Sequence, residues 1–187
     1  MRLFVAVDLG PRVEARAADA LARGKALAPR AKWVHAANLH LTLAFLGQVD
    51  DGLVPGLGGA LAAVAARHGP VPLHVTGAGG FGSARKPRVL WLGITGEVEA
   101  LGRIQRDLEA ELAPFGYRPE ERDFRPHLTL ARARDPRGDP ELAAAVAALA
   151  GDDLGEVRVD RLILFRSDLS PKGPTYTEVL SAPLAGT

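Results

Sequence analysis

Apolar and polar positions along this 187-residue chain alternate first with strand period and then with helical period, and they do so twice. Leu3, Phe4, Val5 and Val7 open the chain as a strand, and a helix follows over about Pro11 to Leu27, with Val13, Ala17, Ala20, Leu21 and Leu27 as its apolar stripe. The next strand, Asn38 to Leu46, contains His-Leu-Thr-Leu, and an alanine-rich helix follows at about Leu57 to Arg67. A strand at Val71 to Thr76 closes this half.

Sliding the chain against itself by 87 positions, the offset between His40 and His127, aligns a second set of the same elements without a gap. The opening strand falls on Leu90, Trp91, Leu92 and Ile94. A helix at about Glu97 to Leu112 carries Leu101, Ile104, Leu108 and Leu112, and the strand Phe124 to Ala133 repeats His-Leu-Thr-Leu. A helix at Pro140 to Leu149, a strand at Val157 to Phe165 and a last strand near Thr175 to Ser181 complete the set. Gly77 to Pro87 reads as a Gly-rich connection between the halves. The pattern predicts an α+β fold in one domain over residues 1–187, with repeat halves of about 1–87 and 88–187. Each half forms a pseudo-symmetric lobe, a small sheet with helices on its outer face, and an active-site cleft lies between the lobes.

Composition narrows the chemistry. There is no cysteine, which excludes disulfides, thiolate metal sites and a cysteine nucleophile. A net charge of +1 argues against a protein that coats long nucleic acid, while leaving room for a small basic site. No stretch approaches the ~18 unbroken apolar residues of a membrane helix, and Met1 to Leu9 lack the features of a signal peptide. The expectation is a cytoplasmic protein with no membrane association and no obligate protein partner.

Residues two apart on a strand share a face, so His40 and Thr42 project together, as do His127 and Thr129, with the leucines between them turned into the core. Hydrolysis of a phosphodiester without a metal needs one group to deprotonate water and another to protonate the departing oxygen. Two imidazoles with ordinary pKa near ~6.5 do this near neutral pH. A zinc site needs three or four ligands, and neither motif has a second His, Asp or Glu at ligand spacing on its face, so no metal and no cofactor are expected. His35, His68 and His74 read as ordinary structural or surface residues.

The segments Arg2-Leu3-Phe4-Val5-Ala6-Val7-Asp8-Leu9, His40-Leu41-Thr42-Leu43-Ala44-Phe45-Leu46-Gly47 and Phe124-Arg125-Pro126-His127-Leu128-Thr129-Leu130-Ala131-Arg132 together resemble the two-histidine phosphoesterase family, in its bacterial RNA 2',3'-cyclic phosphodiesterase branch. The resemblance implies an enzyme acting on RNA with 2',3'-cyclic phosphate ends and leaving a 2'-phosphate. It implies His40 as the general acid on the O3' leaving group and His127 as the general base. Thr42, Thr129 and Arg132 become phosphate ligands, and Phe45 packs the terminal nucleoside. Reversible 2',5' ligation, hydrolysis of a small cyclic nucleotide or of an ADP-ribose cyclic phosphate, and a non-catalytic module that binds phosphate ends are the competing readings.

Strict alternation raises one objection. Arg132 lies five residues after His127 and Phe45 five after His40, so an unbroken strand turns both away from the cleft; a bulge or an early strand end removes the conflict. Two basic groups, Arg118, Arg122, Arg125, Arg132, Arg134 and Arg137 (diluted by Glu120, Glu121 and Asp123) and Arg85, Lys86 and Arg88, read equally as solvated surface or as RNA-backbone contacts.

Overall fold

The computed structural model describes residues 1–119, 123–171 and 173–186. In chain order its elements are β1 (Arg2–Val7), α1 (Gly10–Leu27), β2 (Lys32–Trp33), β3 (Leu41–Gln48), α2 (Val54–Ala65), β4 (Val71–Ser83), β5 (Lys86–Gly96), α3 (Val98–Leu112), β6 (His127–Arg132), α4 (Pro140–Leu149), β7 (Asp153–Val159), β8 (Arg161–Ser170) and β9 (Gly173–Pro183). The strands form two antiparallel sheets, ordered β3-β1-β8-β9 and β2-β6-β5-β4-β7. The α+β class and the two-lobed plan follow directly.

The lobes do not follow the halves of the chain. The first sheet takes β1 and β3 from the first half and β8 and β9 from the second, whereas β4 of the first half sits in the second sheet between β5 and β7. Helices are exchanged as well. α1 and α4 pack together against β4, β5 and β7, while α2 and α3 pair over the first sheet, touching β3, β8 and β9. The apolar stripes expected of the helices are buried: Val13, Ala17, Ala20 and Leu21 on α1, and Leu101, Ile104, Leu108 and Leu112 on α3. Leu27, at the very end of α1, is the exception and lies exposed. These buried side chains and the inner faces of both sheets belong to one continuous hydrophobic core.

Three local expectations change. Gly77 to Pro87 is not a connection between halves; it lies mostly inside the β4–β5 hairpin. Its glycines serve close packing: Gly77 takes φ +72° at a register shift in β4, and a Cβ on Gly79 would stand 2.3 Å from the Trp91 ring, which therefore crosses β4 only because that position is bare. The strand expected at Val157 to Phe165 is two strands, β7 and β8, broken at Asp160. The gapless repeat also fails at the opening strands. Phe4 pairs with Phe45 as Val89, not Trp91, pairs with Arg132, so β5 is displaced two residues from the offset that relates β3 to β6. A shift of two keeps the same face inward, which is why the hydrophobic alignment conceals it.

Candidate active site

Both His-Leu-Thr-Leu segments run along sheet edges of the same kind. β3 pairs with β1, and β6 occupies the matching place beside β5 with only the two-residue β2 outside it. The two strands approach each other across the lobes. Each has a bulge at the same point. Ala6 pairs with Thr42 and Val5 with Ala44, leaving Leu43 unmatched; Trp91 pairs with Thr129 and Leu90 with Ala131, leaving Leu130 unmatched. Side-chain burial confirms the change of phase, since Leu43 and Ala44 are both buried, as are Leu130 and Ala131, while Phe45 and Arg132 are exposed. The objection from strand alternation is therefore removed at both motifs by one device.

The two imidazoles are held alike. His40 Nδ1 lies 2.7 Å from the Asn38 carbonyl, and His127 Nδ1 lies 2.7 Å from the Arg125 carbonyl. A carbonyl only accepts, so in each ring Nδ1–H donates and Nε2 is left to exchange a proton. Asn38 is itself fixed, its Nδ2 donating to the Pro174 carbonyl at the start of β9 over 2.8 Å.

Their surroundings differ. His40 sits in an aromatic box, 4.7 Å from the Phe4 ring centroid, 5.1 Å from Tyr176 edge-on and 6.3 Å from Phe165. Burial there pushes its imidazole below the usual histidine range, opposed by the bond to Asn38. His127 meets a single ring, Phe81, edge-on at 4.9 Å. Burial pushes the Tyr176 phenol above its usual range, opposed by the positive charges of Arg2 and Arg132.

A cavity of about 580 Å³ opens between the lobes, lined by Thr42 and Phe45 from the first motif and by His127, Phe81 and Arg125 from the second lobe. Arg2 lies over the Phe45 ring at 4.9 Å. Thr129 is half-buried on β6 opposite Trp91. Of the other histidines, His68 pairs with Asp107 at 2.7 Å and His74 with Asp153 at 2.6 Å. Among the described residues no three His, Asp or Glu side chains converge as a metal site, and no helix is long and apolar enough to cross a membrane. Within the expected basic run, Glu120, Glu121 and Arg122 lie outside the described residues; Arg137 is paired with Asp135, Arg134 donates to the Arg30 carbonyl, and Arg125 lines the cavity.

Sequence reasoning missed Phe4, Phe165, Tyr176 and Phe81 as the walls around the histidines, because which strands lie side by side is set by long-range pairing. The paired carbonyls of Asn38 and Arg125 do have a signal, standing two residues before each histidine at the repeat offset.

Residues 10–171 match the model of the 2'-5' RNA ligase superfamily. An RNA 2',3'-cyclic phosphodiesterase of Methanothermobacter thermautotrophicus is 36% identical over 182 residues, 96% of each chain. A crystal structure from Thermus thermophilus superposes with a TM-score of 0.79 at 30% identity, over 100% of this chain and 99% of that one. Escherichia coli LigT, solved in complex with 3'-AMP, superposes with a TM-score of 0.71 at 28% identity over 98% of both chains. With its duplicated His-x-Thr strands and this match along most of its length, the chain belongs to the 2'-5' RNA ligase superfamily of two-histidine phosphoesterases.

Proposed function

We propose that the chain hydrolyses RNA 2',3'-cyclic phosphodiester ends to 2'-phosphomonoesters by acid–base catalysis between His40 and His127. The observation that carries this reading is the matched tautomer. Both rings spend Nδ1–H on a carbonyl two residues upstream and keep Nε2 for chemistry, at equivalent places on two strands that approach each other across the lobes. A relative named as an RNA 2',3'-cyclic phosphodiesterase along nearly its whole length supports the substrate class. Because that substrate is RNA, the working compartment we assign is the cytoplasm.

In this mechanism His127 Nε2 takes a proton from water as the water oxygen attacks phosphorus. The P–O3' bond breaks in line, and His40 Nε2–H protonates O3', leaving the phosphate on O2'. Thr42 and Thr129 donate to the non-bridging oxygens, and Arg132 offers two parallel N–H groups to them. Phe45 packs the terminal nucleoside. Burial of His40 disfavours the imidazolium that an acid needs, and a phosphate anion beside it favours that form, so the acid is charged chiefly when substrate is bound. No step draws on a metal.

The test is an RNA oligonucleotide with a 2',3'-cyclic end, incubated with the protein in excess EDTA, and identification of the product end. A 2'-phosphate formed at an undiminished rate is expected. A 3'-phosphate, no opening, or activity lost to the chelator and restored by zinc or manganese overturns the proposal.

A further inference from the structure

The cavity is larger than a phosphate needs. At about 580 Å³ it falls within the range that takes a nucleotide-sized ligand, and it extends from Thr42 and His127 to a polar wall formed by Gln105, Glu109 and Tyr117. Gln105 and Glu109 stand four apart on α3 and so share one face. Gln105 is only 6% exposed, an unusual place for an amide side chain. Its Nε2 donates to Glu109 Oε1 over 2.8 Å, and the Tyr117 hydroxyl donates to the same oxygen over 3.4 Å. Both bonds fall on Oε1, which leaves Glu109 Oε2 without a donor among the described residues.

A carboxylate beside a site for a polyanion repels the phosphate, so its presence calls for a partner that carries N–H groups. Nucleobases supply them, and the two rings that line the same cavity, Phe45 and Phe81, offer faces on which a base stacks. We infer that the α3 wall, with Glu109 Oε2 as its reading atom and Gln105 and Tyr117 as the groups that hold it, is a subsite for the terminal nucleobase and selects bases with an amine at C6 or C4 (adenine or cytosine) over those with a carbonyl there (guanine or uracil). A carboxylate oxygen accepts from the C6 amine of adenine or the C4 amine of cytosine, whereas guanine and uracil present a carbonyl oxygen at the matching position and leave two acceptors opposed. This subsite rests on the hydrolase reading of the same cavity for its place in turnover.

The experiment compares four RNA oligonucleotides that end in a 2',3'-cyclic phosphate and differ only in the last base. Alongside it, binding of 2'-AMP, 2'-CMP, 2'-GMP and 2'-UMP is measured directly, for the native chain and for Glu109→Gln. Gln fits the same space, still accepts from Gln105 and Tyr117, and puts an N–H₂ where Oε2 stood. The expected result is a preference on the order of tenfold for adenosine and cytidine ends over guanosine and uridine ends, in kcat/KM and in binding, which Glu109→Gln narrows or reverses. Equal binding of all four 2'-nucleotides, or an unchanged ranking in a folded Glu109→Gln protein, overturns the subsite. Absence of turnover on all four RNAs overturns the parent reading instead, and the binding ranking still decides the subsite.

Discussion

At the scale of the residue, the proposed acid–base chemistry turns on which ring nitrogen is free. A histidine ring presents either nitrogen, but the carbonyls of Asn38 and Arg125 each accept a hydrogen bond from Nδ1–H and leave Nε2 free. The histidine pair itself was legible, since repetition of four residues at a fixed offset separates His40 and His127 from His35, His68 and His74. Their carbonyl partners were harder to read, because every residue has a backbone acceptor and only the fold selects which one is used. Burial of His40 among Phe4, Phe165 and Tyr176 has a measurable consequence. The folded state favours the neutral ring, so the unfolded chain binds the extra proton first as pH falls, and this contribution to stability is present above the unfolded pKa of ~6.5 and lost as pH drops through the lower folded value. Followed by NMR, the His40 ring should titrate below ~6.5 in the free protein and move up when inorganic phosphate is added. A His40 that titrates at or above that value without phosphate contradicts the burial argument.

At the scale of the element, the helices were readable from period, and α4 begins and ends where its pattern does; the motif strands are present but begin later than expected, at Leu41 instead of Asn38 and at His127 instead of Phe124. What period does not reveal is a change of phase. The bulges at Leu43 and Leu130 put two consecutive buried residues in each strand and bring Phe45 and Arg132 around to the side of Thr42 and Thr129. A run such as Thr-Leu-Ala-Arg carries no local mark of this, because Ala is tolerated on either face. The glycines of β4 misled in the opposite sense. They resemble a loop by composition, yet they are spaces for other side chains, Gly79 for the Trp91 indole above all. Gly79→Ala should therefore destabilise the protein by about 1–3 kcal/mol, the scale of overpacking a fitted contact, with the loss read from urea unfolding. An unchanged unfolding midpoint would mean that Trp91 moves aside freely and that the close approach is not required.

At the scale of the whole molecule, each sheet carries one His-x-Thr motif, and each draws strands and helices from both halves of the chain. Hydrophobic pattern states how many strands there are and which face is buried; it does not state neighbours, since β4 buries its apolar residues equally well beside β1 or beside β5. Exchange also ties the two sheets into one continuous core, with the cavity between them. A shared core suits the proposed in-line displacement, in which acid and base must stand on opposite sides of phosphorus at the same moment.

The most direct measurement of this account is the rate of opening of an RNA 2',3'-cyclic phosphate by the native chain, His40→Ala, His127→Ala and the double variant. Each single replacement should lower kcat by on the order of 100-fold or more. The double variant should lose far less than the product of the single losses, because the two groups act as one unit. Near-native turnover by a folded His127→Ala protein, or single losses that simply multiply in the double variant, would contradict the paired acid–base role of His40 and His127.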